Sequence, residues 1–284
     1  MPSRPARYAV IGNPIAHSRS PEIHAAFAAQ TGQVIEYGRL LAPVDGFVAA
    51  VDAFRAEGGL GLNVTLPFKP EAVAYARRRT PRAEIAGAVN TLAFDGDDVL
   101  GDNTDGPGLV ADVQGRVGLA LKGARVLLLG AGGATRGVVR PLLDAGVERL
   151  AIANRTASRA TALRDELAAR LHPADAARLS AGGLADLDGG FDAIITATAA
   201  GLSGESPALP PGAWRGAMLA FDMVYGPKPT AFMQAARAAG VPRVEDGLGM
   251  LVGQAAESCA LWRGGRPDVA PVYAALRERL AGPA

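Results

Sequence analysis

The sequence predicts an α/β protein of two domains, each built round a sheet with mostly parallel strands. Three observations carry this. Strand-like and helix-like segments alternate almost throughout, as βαβ units require. The alternation starts afresh at "LKGARVLLLG" after a hairpin-like interruption. The strands of the second half are short and fully apolar, which suits a parallel sheet covered on both faces. At 284 residues, 49% of them hydrophobic and 20% charged, the chain is long enough to bury two cores.

In order along the chain, "RYAVIG" reads as a strand and "PEIHAAFAAQTG" as a helix. "EYGRLLA", "GFVAAVDAFRAEGG" and "LGLNVTLP" complete a βαβαβ run. "KPEAVAYARRR" and "AEIAGA" are expected to be helical. "VNTLAFDGDDVLGDNTDG" reads as a hairpin turning at Asp95–Asp98. Helical "PGLVADVQGRVG" leads to the strands "RVLLLG", "RLAIANR", "FDAIITAT" and "MLAFDMVY", separated by helices such as "TASRATALRDELAARL". After "RVED" come two helices, "LGMLVGQAAESCALWRGG" and "PDVAPVYAALRERLAG". The first domain is expected over 1–106 with 241–284 and the second over 107–240.

The net charge of +1, without a basic run, asks for neither nucleic acid nor an anionic membrane. No apolar run approaches the ~20 residues of a membrane span, and no leader is read at the N-terminus. A single cysteine, Cys259, excludes an intrachain disulfide and fits a reducing cytoplasm. Three histidines without CxxC or HExxH leave no metal site to expect. Lys69, Lys122 and Lys228 are the only lysines among 29 basic residues, so a titrating amine, if one is used, is among them.

Two stretches carry chemistry. "GNPIAHSRSP" sets Ser18 and Ser20 where a strand ends and Pro21 opens a helix. Ser20 fits an N-cap, with Glu22 in the first turn, but capping leaves Ser18 unexplained. "VLLLGAGGATRG" places Gly130, Gly132 and Gly133 between strand and helix, where a dinucleotide pyrophosphate meets free N–H groups; Thr135 stands at the third glycine position. At the end of the next strand an NAD site would place an acid, whereas this chain has Asn154-Arg155-Thr156, a guanidinium suited to the 2′-phosphate of NADP.

"GNPIAHSRSPEIH", "NVTLPFK", "AGAVNTL", "GDNTDG", "GAGGATRG", "ANRT", "FDMVY" and "DGLGMLVGQAA" follow in a fixed order from residue 12 to 256. Together they closely resemble the shikimate dehydrogenase family. The resemblance implies an NADP-dependent oxidoreductase of a CH–OH group that interconverts 3-dehydroshikimate and shikimate in aromatic amino-acid biosynthesis. It also implies an N-terminal substrate-binding α/β domain, a Rossmann-like NADP-binding domain and final helices that return to the first. By the same resemblance Lys69 and Asp105 are the acid/base pair. Ser18 and Ser20 bind the substrate carboxylate, while Thr65, Asn90, Tyr225 and Gln254 line the ring site. Gly130, Ala131, Gly132, Gly133, Ala134, Asn154, Arg155, Thr156 and Arg159 hold NADP(H), with Met223 and Gly247 near the nicotinamide or the cleft. The pairing is chemically sensible, because ketone reduction builds charge on an oxygen that needs a proton donor, and a carboxylate keeps that donor charged. The bland alternative is a salt bridge at a helix start, with Asp105 capping the helix at Pro107. His17 and His24 are expected in packing or turn hydrogen bonds. The chain departs from the family pattern at Ala25 and Thr196, each where asparagine is usual.

Two other readings compete: a quinate/shikimate dehydrogenase of broader substrate and cofactor use, and a non-catalytic NADP-sensing module. Glutamyl-tRNA reductases share the cofactor domain but need an N-terminal cysteine, and Cys259 lies at the wrong end. The expected partner is a small molecule, and the assembly a monomer or homodimer in the cytoplasm.

Overall fold

The structure, a computed structural model, describes residues 5–198 and 206–282. The apolar run Tyr8–Ile11 sits in β1 (Ala6–Gly12), and alternation of strand and helix carries on through α1 (Ser20–Thr31), β2 (Ile35–Leu41), α2 (Phe47–Ala56) and β3 (Gly59–Val64). α3 (Lys69–Tyr75), β4 (Arg78–Arg79), α4 (Pro81–Ala86), β5 (Thr91–Asp95) and β6 (Asp98–Asp102) follow. These strands form one six-stranded sheet in the order β2-β1-β3-β5-β6-β4. β1 pairs in parallel with β2 and β3, and the expected hairpin, β5–β6, adds two antiparallel pairings. On one face α2 drops Phe47, Val51 and Phe54 onto Ile11, Leu62 and Phe68. The other face is covered by α1 and the next-to-last helix, and the last helix packs on those two.

The second half holds α5 (Asp105–Ala111), β7 (Arg125–Leu129), α6 (Gly133–Asp144), β8 (Arg149–Asn154), α7 (Ala157–Ala168), α8 (Pro173–Ala176) and β9 (Leu179–Gly183). β10 (Ala193–Thr196), β11 (Leu219–Asp222), α9 (Ala231–Ala238) and β12 (Arg243–Asp246) complete it. The second sheet is parallel throughout, in the order β12-β11-β10-β7-β8-β9. Counted within this sheet from β9, that is 3-2-1-4-5-6, the doubly wound order, whose ligand crevice opens where the order reverses beside the first strand. Leu127 and Leu129 face one helical layer and Val126 and Leu128 the other, so apolar residues are needed at consecutive positions. The chain then returns: α10 (Leu248–Arg263) and α11 (Ala270–Ala281) lay Leu248, Val252, Val272 and Leu276 against Ile23 and Phe27 of α1. Among the described residues no helix is long and apolar enough to cross a membrane.

Several expectations change in detail. Helix α3 ends at Tyr75 rather than running through the arginines; Arg78 and Arg79 pair with Leu100 and Gly101 of β6. Arg78 also forms an ion pair with Asp98, so helix-favouring composition yields to tertiary pairing. The helix after Gly106 starts at Asp105 and ends in a π-turn over 112–116, where Val117 N–H donates to the Asp112 carbonyl. β9 has no counterpart among the expected strands. The polar "RVED" is β12, paired with Leu219–Asp222 at a sheet edge, so the second sheet runs to Asp246 and the return crossing lies beyond it, not at 241.

Ser20 is not an N-cap. It is the first residue of α1, Arg19 occupies the cap position, and no side chain caps the helix. His24 does pack: it is fully buried, stacked on Tyr37 with ring centroids 4.1 Å apart. Burial pushes its imidazole pKa down to about 3, so the ring is neutral at ordinary pH.

The two chain crossings lie side by side, since α5 and α10 touch backbone to backbone. A Cβ on Gly108 would stand 2.5 Å from the Gln254 nitrogen and 2.8 Å from the Met250 carbonyl oxygen. Asp246, at the end of β12, is held by Arg277 of α11 and accepts the Leu248 N–H at 3.1 Å.

Candidate active site

Two cavities open at the carboxyl ends of the two sheets. The smaller, about 320 Å³, lies between them and is lined from both sides. From the first sheet and its helices come Ser18, Ser20, Thr65, Lys69, Asn90 and Asp105. From the second come Ala134, Met223 and Tyr225, while Gly247 and Gln254 come from the returning segment. Residues separated by more than 230 positions thus meet in one place.

At its centre Lys69 Nζ lies 2.6 Å from Asp105 Oδ2. Each is the first residue of its helix, α3 and α5. The other carboxylate oxygen, Oδ1, accepts from Asn90 Nδ2 at 2.8 Å. Asp105 therefore spends its side chain on Lys69 and Asn90, not on a cap; its own N–H donates to Asn103 Oδ1 at 3.2 Å. The pair is partly open to the cavity, with 29% of the lysine side chain and 18% of the aspartate exposed, so the ammonium remains accessible to a ligand.

Ser18 and Ser20 stand at one end. Ser20 N–H donates to Ser18 Oγ at 3.3 Å, and the two hydroxyls are themselves 3.3 Å apart. A bond that long between two neutral groups is easily exchanged for two charge-assisted bonds to one carboxylate. Arg39 steadies the turn by donating to the Ser18 carbonyl. His17 is exposed and lines the cavity, which turn packing alone did not suggest; Ala25 is exposed on α1 and takes no part. Burial raises the pKa of Tyr225, which also lines the cavity, so its hydroxyl keeps a proton to donate.

Sequence reading missed a buried layer beneath this cavity. Asn63, Thr91, Thr104 and Ser258 are all buried and hydrogen-bonded to one another or to Asn90 and Gln254. The available signal was Asn63 itself, an amide inside the apolar strand "LGLNV".

The larger cavity, about 1100 Å³, opens at the reversal of strand order beside β7. Gly130, Asn154, Arg155 and Thr198 line it. Gly130 has φ +109°, and a Cβ there would meet Thr198 Cγ2 at 2.9 Å, so the turn tolerates only glycine. Thr135, at the third glycine position, is buried and donates its hydroxyl to the Gly130 carbonyl at 2.8 Å, closing the turn from within. Ala131 flanks it half-buried, while Gly132, Gly133 and Ala134 are exposed at the start of α6; a Cβ on Gly132 or Gly133 would meet nothing within 4 Å. Helix α6 has no side-chain cap, which leaves its first N–H groups for an anion.

Asn154 donates to the Thr156 carbonyl at 3.0 Å, turning the chain so that Arg155 is exposed at the cavity. Thr156 and Arg159 are exposed just beyond and do not line the cavity. The acids of α7 are engaged elsewhere, Asp165 with Arg164 and Glu166 with Arg136 and Arg170. Open space at the glycines, uncapped N–H groups and an exposed arginine fit a dinucleotide phosphate. Ala134, Met223 and Gly247 line the smaller cavity instead. Thr196, at the position of the second departure, bonds Thr198 at 3.2 Å through its hydroxyl.

The chain matches the shikimate dehydrogenase substrate binding domain over 10–92, shikimate / quinate 5-dehydrogenase over 112–203 and the shikimate 5′-dehydrogenase C-terminal domain over 247–277. The chain belongs to the shikimate dehydrogenase family. Shikimate dehydrogenase (NADP(+)) of Aromatoleum aromaticum is 57% identical to it over 277 residues, covering 97% of this chain and 98% of that one. The crystal structure of an Ael1 enzyme from Pseudomonas putida is 45% identical, with a TM-score of 0.90 over 98% of this chain and 99% of that one. Shikimate 5-dehydrogenase of Thermus thermophilus, solved with NADP(H) and shikimate, is 35% identical with a TM-score of 0.85, covering 97% of this chain and 100% of that one.

The exposure of Arg155 gives a direct test of cofactor choice. Arg155→Asp should shift preference from NADP toward NAD at least tenfold, since a hydrogen bond to a charged group contributes about 1.5–3 kcal/mol. The ratio of kcat/KM for the two cofactors reads this out. An unchanged ratio would assign the 2′-phosphate to another group, with Arg159 next in line.

Proposed function

We propose that this protein is an NADP-dependent shikimate dehydrogenase, reducing 3-dehydroshikimate to shikimate and running the reverse reaction. The observation that carries the reading is the 2.6 Å Lys69–Asp105 pair inside a cavity with two serines at one end and the dinucleotide crevice beside it. Ser18 and Ser20 hold the substrate carboxylate, and Thr65, Asn90, Tyr225 and Gln254 hold the hydroxylated ring. Gly130–Ala134 cradle the pyrophosphate, Asn154, Arg155, Thr156 and Arg159 take the adenosine phosphate end, and Met223 and Gly247 flank the nicotinamide. When bound, the dinucleotide supplies the hydride.

Lys69 supplies the proton. As charge grows on the carbonyl oxygen, the ammonium donates to it, and Asp105, 2.6 Å away, keeps that ammonium aimed until then. In oxidation the same amine takes the hydroxyl proton. Asn90 holds Asp105 from the far side, so the carboxylate does not swing away from the lysine. We further propose two domains, 1–106 with 247–284 and 107–246, in a cytoplasmic monomer or homodimer.

An absorbance assay at the nicotinamide band, crossing shikimate and quinate with NADP and NAD, tests the reading. Shikimate with NADP should turn over fastest. Comparable rates with quinate would assign the broader enzyme, and no turnover in any combination would leave a binding module.

The serine pair offers a second check. Ser18→Ala or Ser20→Ala should raise KM for shikimate about tenfold, the loss of one bond to a charged group, and leave NADP affinity unchanged. Because Ser20 does not cap α1, its replacement should also leave the thermal midpoint close to wild type. Wild-type KM in both variants would remove the serines from the carboxylate site.

A further inference from the structure

Beneath the smaller cavity three hydroxyls, Thr91, Thr104 and Ser258, are each 0% exposed, and Asn63 beside them is 4% exposed. Such groups add little to stability over apolar residues of the same shape, so a polar cluster here calls for another use. Proton counting supplies one. Tyr37 O–H donates to Asn63 Oδ1 at 2.6 Å, which turns the amide so that Nδ2 faces Thr91 Oγ1 at 3.1 Å and Ser258 Oγ at 2.8 Å. Both hydroxyls accept there and must pass their own protons onward. Ser258 donates to the Gln254 carbonyl at 3.0 Å, and Thr91 donates to Asn90 Oδ1 at 3.0 Å. Thr104 adds its N–H to Asn90 Oδ1 at 2.8 Å, and its hydroxyl lies 3.1 Å from the same oxygen and 3.4 Å from Gln254 Oε1. Asn90 Oδ1 thus takes its donors from behind, and Gln254 Oε1 has the Thr104 hydroxyl within reach on the same side. Their NH2 groups then point the other way: Gln254 Nε2 donates to the Leu251 carbonyl at 3.0 Å, and Asn90 Nδ2 meets Asp105 Oδ1 at 2.8 Å.

We propose that Asn63, Thr91, Thr104 and Ser258 form a one-way hydrogen-bond relay that fixes the amide orientation of Asn90 and Gln254, and through Asn90 the rotamer of Asp105. This rests on the reading of the cavity given above. The four are positioning residues: none is required to touch the reacting atoms, and each acts through a neighbour. A reversed Asn90 amide would set its oxygen against the Asp105 carboxylate and its NH2 against the Thr104 N–H, so the relay and the catalytic pair favour the same rotamer.

The test compares Thr91→Val, which keeps shape and loses the hydroxyl, with Thr91→Ser, which keeps the hydroxyl. Three quantities are measured: kcat/KM for shikimate, NADP affinity, and the side-chain amide signals of Asn90 in a nitrogen–proton correlation spectrum, assigned by their loss in Asn90→Asp. Thr91→Val should lower kcat/KM roughly tenfold, the loss of one buried bond plus misplacement of the groups it aims. It should also shift or broaden the Asn90 signals and leave NADP affinity intact, and Thr91→Ser should restore both. Ser258→Ala serves as the second variant if Thr91→Val does not fold. The relay is overturned if Thr91→Val changes only the thermal midpoint, or if the Asn90 signals stay where they are. A wild-type enzyme inactive on shikimate would defeat the functional reading alone, because the amide signals need no substrate and still decide the relay.

Discussion

Lys69→Ala should lower kcat by ~10²–10⁴-fold, the range for loss of a general acid–base group, while shikimate affinity changes far less. Under the proposed reading Ser18 and Ser20 still hold the carboxylate and Asn90 and Gln254 the ring, and all of them line the same cavity. The pair makes a sharper expectation. Asp105 Oδ2 lies 2.6 Å from Lys69 Nζ, so removing the carboxylate frees the amine to turn away. If the two act as a unit, the double variant Lys69→Ala/Asp105→Ala should be little slower than the poorer single one. Losses additive in log rate would separate their roles, giving Lys69 the reacting oxygen and Asp105 a neighbouring hydroxyl. A Lys69→Ala enzyme with raised KM and normal kcat would mean uniform binding, and one with full activity would end the mechanism.

Gly108→Ala should destabilise the protein by about 1–3 kcal/mol, the usual cost of overpacking a tight contact. The added methyl would stand 2.5 Å from the Gln254 nitrogen, and both atoms of the clash belong to helix backbones that no rotamer change relieves. Separating α5 from α10 also withdraws Gln254 from the ring site and tilts Asp105 at the start of α5, so KM and kcat should both worsen. Gly115→Ala is the matched control, since a Cβ there meets nothing within 4 Å and should leave midpoint and rates unchanged. A Gly108→Ala protein with the wild-type midpoint would show that the helices sit further apart than described.

Much of this was legible in the sequence because the informative signals are local. Apolar runs such as "VLLLG" become buried parallel strands whatever surrounds them, and the glycine turn with Arg155 belongs to one βαβ unit. What failed depended on partners far along the chain. "RVED" is too polar to read as a strand, yet it becomes one because β11 offers an edge. Arg78 and Arg79 lose their helix because β6 and Asp98 are within reach. Ser20 has the composition of a cap, but its helix begins one residue earlier than composition suggests. Thr91, Thr104 and Ser258 read as ordinary strand, loop and helix residues; only packing α10 under β5 makes them one cluster.

The returning helices also set an order of events during synthesis. Ile23 and Phe27 find their apolar partners on α10 and α11, more than 220 residues later. While the ribosome is still working, the first sheet therefore has one face covered by α1 alone, and His24 and Asn63 lack the cover that Cys259 and Ser258 later provide. Every strand of the second sheet, by contrast, precedes those helices in the chain and pairs without them. The later half of the molecule is thus free to fold first and to hold the ends of the chain's two crossings together, with Arg116 of one paired to Glu245 of the other at 2.8 Å. The first half closes only when the last helix arrives, so a chain cut short before Leu248 would carry a finished nucleotide crevice beside an open, apolar sheet, the kind of surface that aggregates or is degraded.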